Sequence, residues 1–171
     1  GELMPLTGSF NLSAQLVLTS TDDFGIPSHT ISTSNDVTFT DGAGVNQVNQ
    51  VWADAARSIN ASTNDDLDLS GVLTNKLGQT VSFVRVKGIY VRFLTTSATF
   101  VLNVGGGSNP FINYLTGTTP VVVIRAGGTF CLIGPDATGY AVTAGTGDIL
   151  RINNPNAAAI TYDIIIVGAT S

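Results

Sequence analysis

Charge is what this sequence lacks most. Of its 171 residues, 11% are Asp, Glu, Lys or Arg, against roughly 25% in an ordinary globular protein. Seven basic residues face twelve acidic ones, for a net charge of -5. Affinity for a nucleic-acid backbone rests on Lys and Arg, so this balance gives no support to nucleic-acid binding. The basic residues are dispersed, apart from Arg85, Lys87 and Arg92 in VSFVRVKGIYVRF. Cysteine and histidine occur once each. A single Cys131 excludes an intrachain disulfide, and in TFCLIG it reads as a small buried hydrophobe. His29 lies in a polar Ser/Thr-rich segment far from it, so neither a zinc site nor a thiol–imidazole pair is expected. Long apolar runs are missing too. The longest, around IIIVGA, is a strand's length and far short of the roughly 20 residues of a membrane-spanning helix. GELMPLTG shows no basic segment followed by an apolar one, so no signal peptide is read there.

What is present is β-prone. A chain of this length buries about 70% of its unfolded surface, enough for a core without metals or disulfides. Short apolar and β-branched runs are cut by Gly, Asn, Asp and Pro turns. SFNLSAQLVLTS puts Phe10, Leu12, Ala14, Leu16 and Leu18 on one side, as a half-buried strand or extended arm does. TSTDDFGIPSHTISTSND reads as loop with one short strand, and VTFT as another strand. DDLDLSG points Leu67 and Leu69 inward. VSFVRVKGIYVRFL is the longest clear strand region, with Val84 and Val86 opposite Arg85 and Lys87. After Gly88 the apolar set shifts to Ile89, Val91 and Phe93, which places a β-bulge at the glycine. ATFVLNV, PVVVIRAGGTFCLIG, GDILRIN and ITYDIIIVGA supply the remaining strands, with Asp163 outward beside Thr161 and Ile165. This pattern predicts an all-β, jelly-roll-like antiparallel β-sandwich of eight to ten strands. Residues 1–37 form an N-terminal arm or first strands, and residues 38–171 the sandwich.

TDGAGVNQVNQVW, residues 40–52, holds the only tryptophan. A dinucleotide fingerprint needs a third glycine, and Gln47 stands at that position. Val48, Val51, Trp52, Ala55 and Ile59 recur at helical spacing. Val51, Ala53, Ala55 and Ile59 equally fit one face of a strand that Arg57 would share. Periodicity leaves helix and strand open after Gln50. Asp41–Gly42 reads as a turn after VTFT, with Trp52 as an anchor in the core or at a subunit boundary. The glycines of GGGSNP lack the Lys and helix of a phosphate loop.

Carboxylates cluster at Asp22–Asp23, Asp65–Asp66 and Asp68. Glycosidase chemistry needs two of them facing across a sugar site in different environments, whereas Asp66 and Asp68 read as a solvated strand face. NDDLDLSG matches a calcium loop only in part. No catalytic residue, cofactor or metal is expected.

DGAGVNQVNQVWADAARSINAS, DDLDLSGVLTNKLGQTVSFVRVKGIYVR, PDATGYAVTAGTGDILRINNP and ITYDIIIVGA together resemble a family of small virion proteins of tailed bacteriophages and prophages. The resemblance covers roughly residues 38–169 and tilts residues 50–60 toward strand. It implies a non-catalytic virion component on the capsid or tail (a capsid decoration, a head-fibre part or a tail part), assembled in the host cytoplasm. Its expected partners are other phage capsid or tail proteins and further copies of itself. By analogy with jelly-roll virion proteins a homotrimer is expected, with SFNLSAQLVLTS as an arm laid on a neighbour. The competing expectation is a carbohydrate-binding module, with Trp52, Tyr90, Tyr114, Tyr140 and Tyr162 as glycan or interface contacts beside Asn109 and Asn113.

Overall fold

The computed structural model describes residues 5–20 and 25–171. Asp22–Asp23 and the first four residues, on which the reading of the amino terminus rests, lie outside them. Among the described residues there are fourteen strands and no helix. Four strands are two-residue pairings, which leaves ten longer ones, inside the expected range.

β1 (Gly8–Thr19) and β2 (Ser28–Asp41) form a hairpin paired residue for residue from Gly8↔Phe39 to Thr19↔Ser28. The expectation of a loop with one short strand before residue 37, then a separate VTFT strand, is corrected here: from Ser28 to Asp41 the chain is one continuous strand. SHTISTSND has no apolar alternation to announce a strand. Its β-branched Thr and Ile residues suit a pleated backbone, and β1 supplies the hydrogen-bonding partner. Directly opposed residues share a face in an antiparallel pair, so the ribbon is two-sided. Phe10, Leu12, Ala14, Leu16 and Leu18 lie with Val37, Asn35, Thr33, Ile31 and His29, and the other face is mostly Ser, Thr, Asn and Gln, with Val17 and Asp36 among them.

The body follows. β3 (Gln47–Val48) pairs parallel with the end of β2. β4 (Gln50–Ile59) settles the open segment as strand. Then come β5 (Thr63–Asp68), β6 (Leu73–Thr74), β7 (Thr80–Val81), β8 (Arg85–Phe93), β9 (Val101–Gly105), β10 (Val121–Arg125), β11 (Thr129–Ile133), β12 (Tyr140–Ala141), β13 (Ile149–Asn154) and β14 (Ile160–Ala169). One sheet runs β10-β9-β13-β5 and the other β11-β8-β14-β4, with β12 also on β8. Neighbours within both are antiparallel.

The pairings are nested. β9 pairs with β10, β8 with β11, β5 with β13, and β4 with β14. The inward positions of both sheets meet in one core. Leu67, Leu102, Val104, Leu150 and Ile152 come from the first sheet, and Val86, Ile89, Val91, Phe93, Tyr162, Ile164 and Ile166 from the second. Burying such side chains stabilises the fold by about 1.5–3 kcal/mol each.

Two bulges shape the second sheet. Val167 pairs with Gly88 and Gly168 with Val86, so Lys87 is the extra residue of β8, as the alternation around Gly88 predicts. On β4, Arg57 and Asp54 pair with Tyr162 and Ile164, which leaves Ala55 and Ala56 opposite the single Asp163. The extra residue is accommodated at Ala56, at φ 52°. Its amide donates to Asp163 Oδ1 at 2.8 Å, which gives the outward Asp163 its task.

Candidate functional site

The second sheet has an outer face made of rows that the register defines. Val51, Val167, Gly88 and Ile133 form one row, and Ala53, Ile165, Tyr90 and Cys131 the next. Beyond them Asp163, Arg92 and Thr129 are polar. The first row is covered by the base of the ribbon. Phe39, Val48 and Val167 form a buried cluster, against which Leu6, Phe10, Val37, Val51 and Ile133 pack. Phe10 stands edge-on to Phe39, centroids 6.2 Å apart, a favourable aromatic geometry. Gly88 makes room for it: a Cβ there would lie 2.8 Å from Val167 Cγ2 and 3.1 Å from Phe10 Cε2.

The second row is not covered. A groove of about 440 Å³ opens between it and residues Leu6 to Leu12, lined by Leu12, Val51, Tyr90, Thr129, Cys131 and Ile165 among others, none of them charged. Cys131 is half-buried at its edge, and burial pushes its thiol up. Past Leu12 the ribbon leaves the body with its apolar face open: Leu16 is 67% exposed, Leu18 73% and Ile31 55%.

The TDGAGVNQ segment is the joint between ribbon and body. Asp41 ends β2, and the turn returns so that Thr40 N donates to Asn46 O at 3.0 Å. Gln47 folds over the two glycines, its Oε1 accepting from Gly44 N at 2.8 Å. A Cβ on Gly42, at φ 136°, would meet that Oε1 at 2.6 Å, so the Gly-x-Gly spacing serves the Gln47 amide. Lys87 closes the joint. The sequence places it with Arg85 opposite Val86; here it is the bulged residue, and it is fully buried. Its Nζ donates to Ala43 O at 3.0 Å and to Gly44 O. A phosphate cradle aims N–H groups at its ligand, whereas here carbonyl oxygens aim at an ammonium. Burial, with Arg85 nearby, pushes Lys87 below its ordinary value. Lys87→Ala is expected to cost about 2 kcal/mol, since hydrogen bonds to charged groups contribute about 1.5–3 kcal/mol. Urea denaturation of the purified chain checks this.

The aromatics read as contacts scatter. Trp52 is 5% exposed, donates Nε1–H to Thr74 O at 3.2 Å, and carries Arg57 over its ring at 5.6 Å. Its faces are taken. Tyr162 is fully buried. Tyr114 and Tyr140 meet edge to face at 6.3 Å, and Tyr114 also packs on Phe111 and Phe130. Only Tyr90 lies in the groove. Asn113 donates to Ala141 O, and Asn109 O accepts from Asp148 and Ile149 amides. The Tyr114 hydroxyl is buried without a partner among the described residues, and burial pushes it up to about 12. Removing an unpartnered buried hydroxyl relieves its desolvation. Tyr114→Phe is therefore expected to stabilise by about 1 kcal/mol in the same denaturation measurement.

The carboxylates are held by neighbouring side chains, some of them shared: Ser70 Oγ lies between Asp68 Oδ1 at 2.7 Å and the buried Asp148 Oδ2 at 3.0 Å. Asp66 takes a two-pronged hydrogen bond from Arg151 at 2.6 and 2.7 Å, and the guanidinium packs on Gly107 of the glycine loop. Asp68 Oδ1 accepts from Ser70 N and Oγ at 2.8 and 2.7 Å. Asp65 receives Arg57 and the Tyr162 hydroxyl. Arg57 also reaches Asp54, which Lys76 shares. Burial raises Asp54, but the hydrogen bonds from Lys76 and Arg57 outweigh it and hold that carboxyl low. Among the described residues no three His, Cys, Asp or Glu side chains come together as a metal ion requires.

Sequence reasoning missed the groove itself. Ile165 was read as outward and Cys131 as buried, but only the register puts them beside Tyr90. Compared with family models, curated proteins and solved structures, the chain gives no match.

Proposed function

We propose that this chain is a structural component of a tailed-bacteriophage virion, on the capsid or the tail. It acts through protein–protein contacts and catalyses no reaction. The observation that carries this reading is the ribbon. A two-stranded hairpin is marginally stable by itself in water, and this one extends an apolar face past the edge of its own body. Such a face is stabilised by burial against another surface. Long unpaired strand edges, without Asp, Glu, Lys or Arg from Gly8 to Thr19 and from Ser28 to Asn35, are templates for association.

The nested pairing supports a jelly roll. One long hairpin, rolled so that its rungs divide between two sheets, gives the orders β4-β14-β8-β11 and β5-β13-β9-β10. Double-sheet jelly rolls of eight strands recur in viral capsid proteins. The engagement of Asp54, Asp65 and Asp66 by Arg and Lys side chains supports a non-catalytic role, and the burial of Trp52 weighs against the glycan alternative. Light scattering of the full chain, with gold-labelled antibody on purified virions carrying its gene, tests the proposal. An oligomer and labelled particles are expected. A monomer absent from particles would overturn it.

A further inference from the structure

We propose that the outer half of the ribbon docks on a second copy of this chain, its apolar face lying over the neighbour's open row of Ala53, Ile165, Tyr90 and Cys131. The inference rests on the assembly reading above and names the partner and the seat.

Three observations point to a second copy. The ribbon's base already sits on this same sheet face, Phe10 and Phe39 covering Val167 and Gly88. Along β1 the stripe that begins with Phe10 continues through Leu12, Ala14, Leu16 and Leu18, and β2 sets Asn35, Thr33, Ile31 and His29 beside it. The surface it fits is therefore present on every copy, one row along from the occupied one. Secondly, the two surfaces match in their lack of charge. The groove has no ionisable side chain except the Tyr90 phenol and Cys131 thiol, and the described outer strands, residues 12–19 and 28–35, have none except His29. These strands offer a charge-selected partner nothing to recognise. Thirdly, the ribbon has reach. Leu12 to Leu18 spans about 20 Å at roughly 3.4 Å per residue, beyond the body that holds its base. Ribbon and groove are different patches, so the contact is head-to-tail and generates a ring when the rotation closes.

Cys131 makes the inference testable with one added thiol. Leu16→Cys and Leu18→Cys are made separately in the full chain and oxidised at about pH 9, where an exposed introduced thiol ionises. A disulfide needs Cα atoms about 4.4–6.8 Å apart, so bonding reports close approach. The expected result is disulfide-linked multimers on non-reducing gels, ending at the ring size given by light scattering. Peptide mapping should join the introduced thiol to Cys131, and Cys131→Ser should abolish the bands. A disulfide within one chain would mean that the ribbon folds onto its own sheet. Bands that survive Cys131→Ser would mean that ribbon pairs with ribbon. Either overturns the proposal, as does an assembled protein in which neither variant cross-links. A chain monomeric in solution removes the assembly reading as well, which separates the two failures. Leu16→Asp should raise the dissociation constant by at least about tenfold, because it buries a charge in an apolar contact. The thermal transition of the body should not move, since Leu16 touches none of the core; an unchanged dissociation constant would overturn the docking.

Discussion

Gly168→Ala is expected to destabilise the protein by about 4 kcal/mol, the largest effect of any single methyl group here. Gly168 sits where β14 meets the β8 bulge, opposite Val86 and Gln50. A Cβ there would fall on the carbonyl oxygen of Arg85 and lie 2.8 Å from Phe83 Cδ1 and 3.1 Å from Val86 Cα. Two of those three atoms are backbone, so no rotamer change relieves the overlap. Overpacking ordinarily costs about 1–3 kcal/mol. A clash with the ladder itself belongs among the rarer larger values. Urea denaturation, with the slope compared to the parent, measures it. A loss under about 1 kcal/mol would mean that the bulge has slack the structure does not show.

Asp65→Ala is expected to cost about 3 kcal/mol. Asp65 accepts from Arg57 Nε and from Nη2 at 2.9 Å, and from the Tyr162 hydroxyl at 2.7 Å. The network ties the edge strands β4 and β5 to β14 in the centre of the second sheet. Its removal leaves a phenol in the core without an acceptor and a guanidinium half stripped of partners. Arg57 is partly exposed, so water recovers some of that loss. The same network sets a pH dependence. Burial, then the Asp65 charge, raises the Tyr162 phenol well above its ordinary value of 10. Tyr114 is raised in the same direction by burial. The unfolded chain then releases these protons first as pH passes 10. The folded state binds more protons than the unfolded one there, and stability falls with rising pH. Each tyrosine contributes about 1.4 kcal/mol per pH unit. Tyr162→Phe should remove one share of that alkaline decline while costing about 1 kcal/mol at neutral pH. An unchanged alkaline slope would contradict the assignment.

Most strands were legible where alternation ran undisturbed. Leu67 with Leu69, and Ile89 with Val91 and Phe93, point inward as their spacing demands. The segment after Gln50 was ambiguous for a reason the structure makes plain. Trp52 and Ile59 both face the core. Seven residues apart, they could not share a side of a regular strand, and seven is close to two turns of a helix. The bulge at Ala56 inserts the odd residue and so imitates helical spacing. The burial of Lys87 was illegible because the carbonyls that receive it belong to Ala43 and Gly44, over forty residues away. β2 was illegible beyond VTFT because both its faces are exposed there, so no burial pattern was written into it. The groove needed the register of four strands at once, which no local pattern carries.

The nested pairing also sets an order of events. Strands that pair first are expected to be those with the least chain between them. Among the nested pairs of the roll, β9 with β10 would lead, then β8 with β11, then β5 with β13, and last β4 with β14. Val167, under the base of the ribbon, and Ile165, on the row beside it, both belong to β14. The seat for a ribbon is therefore finished only when the roll is, and a half-folded chain has an arm to offer but nowhere to receive one. On the proposed assembly, completion of the fold becomes the licence for joining a neighbour.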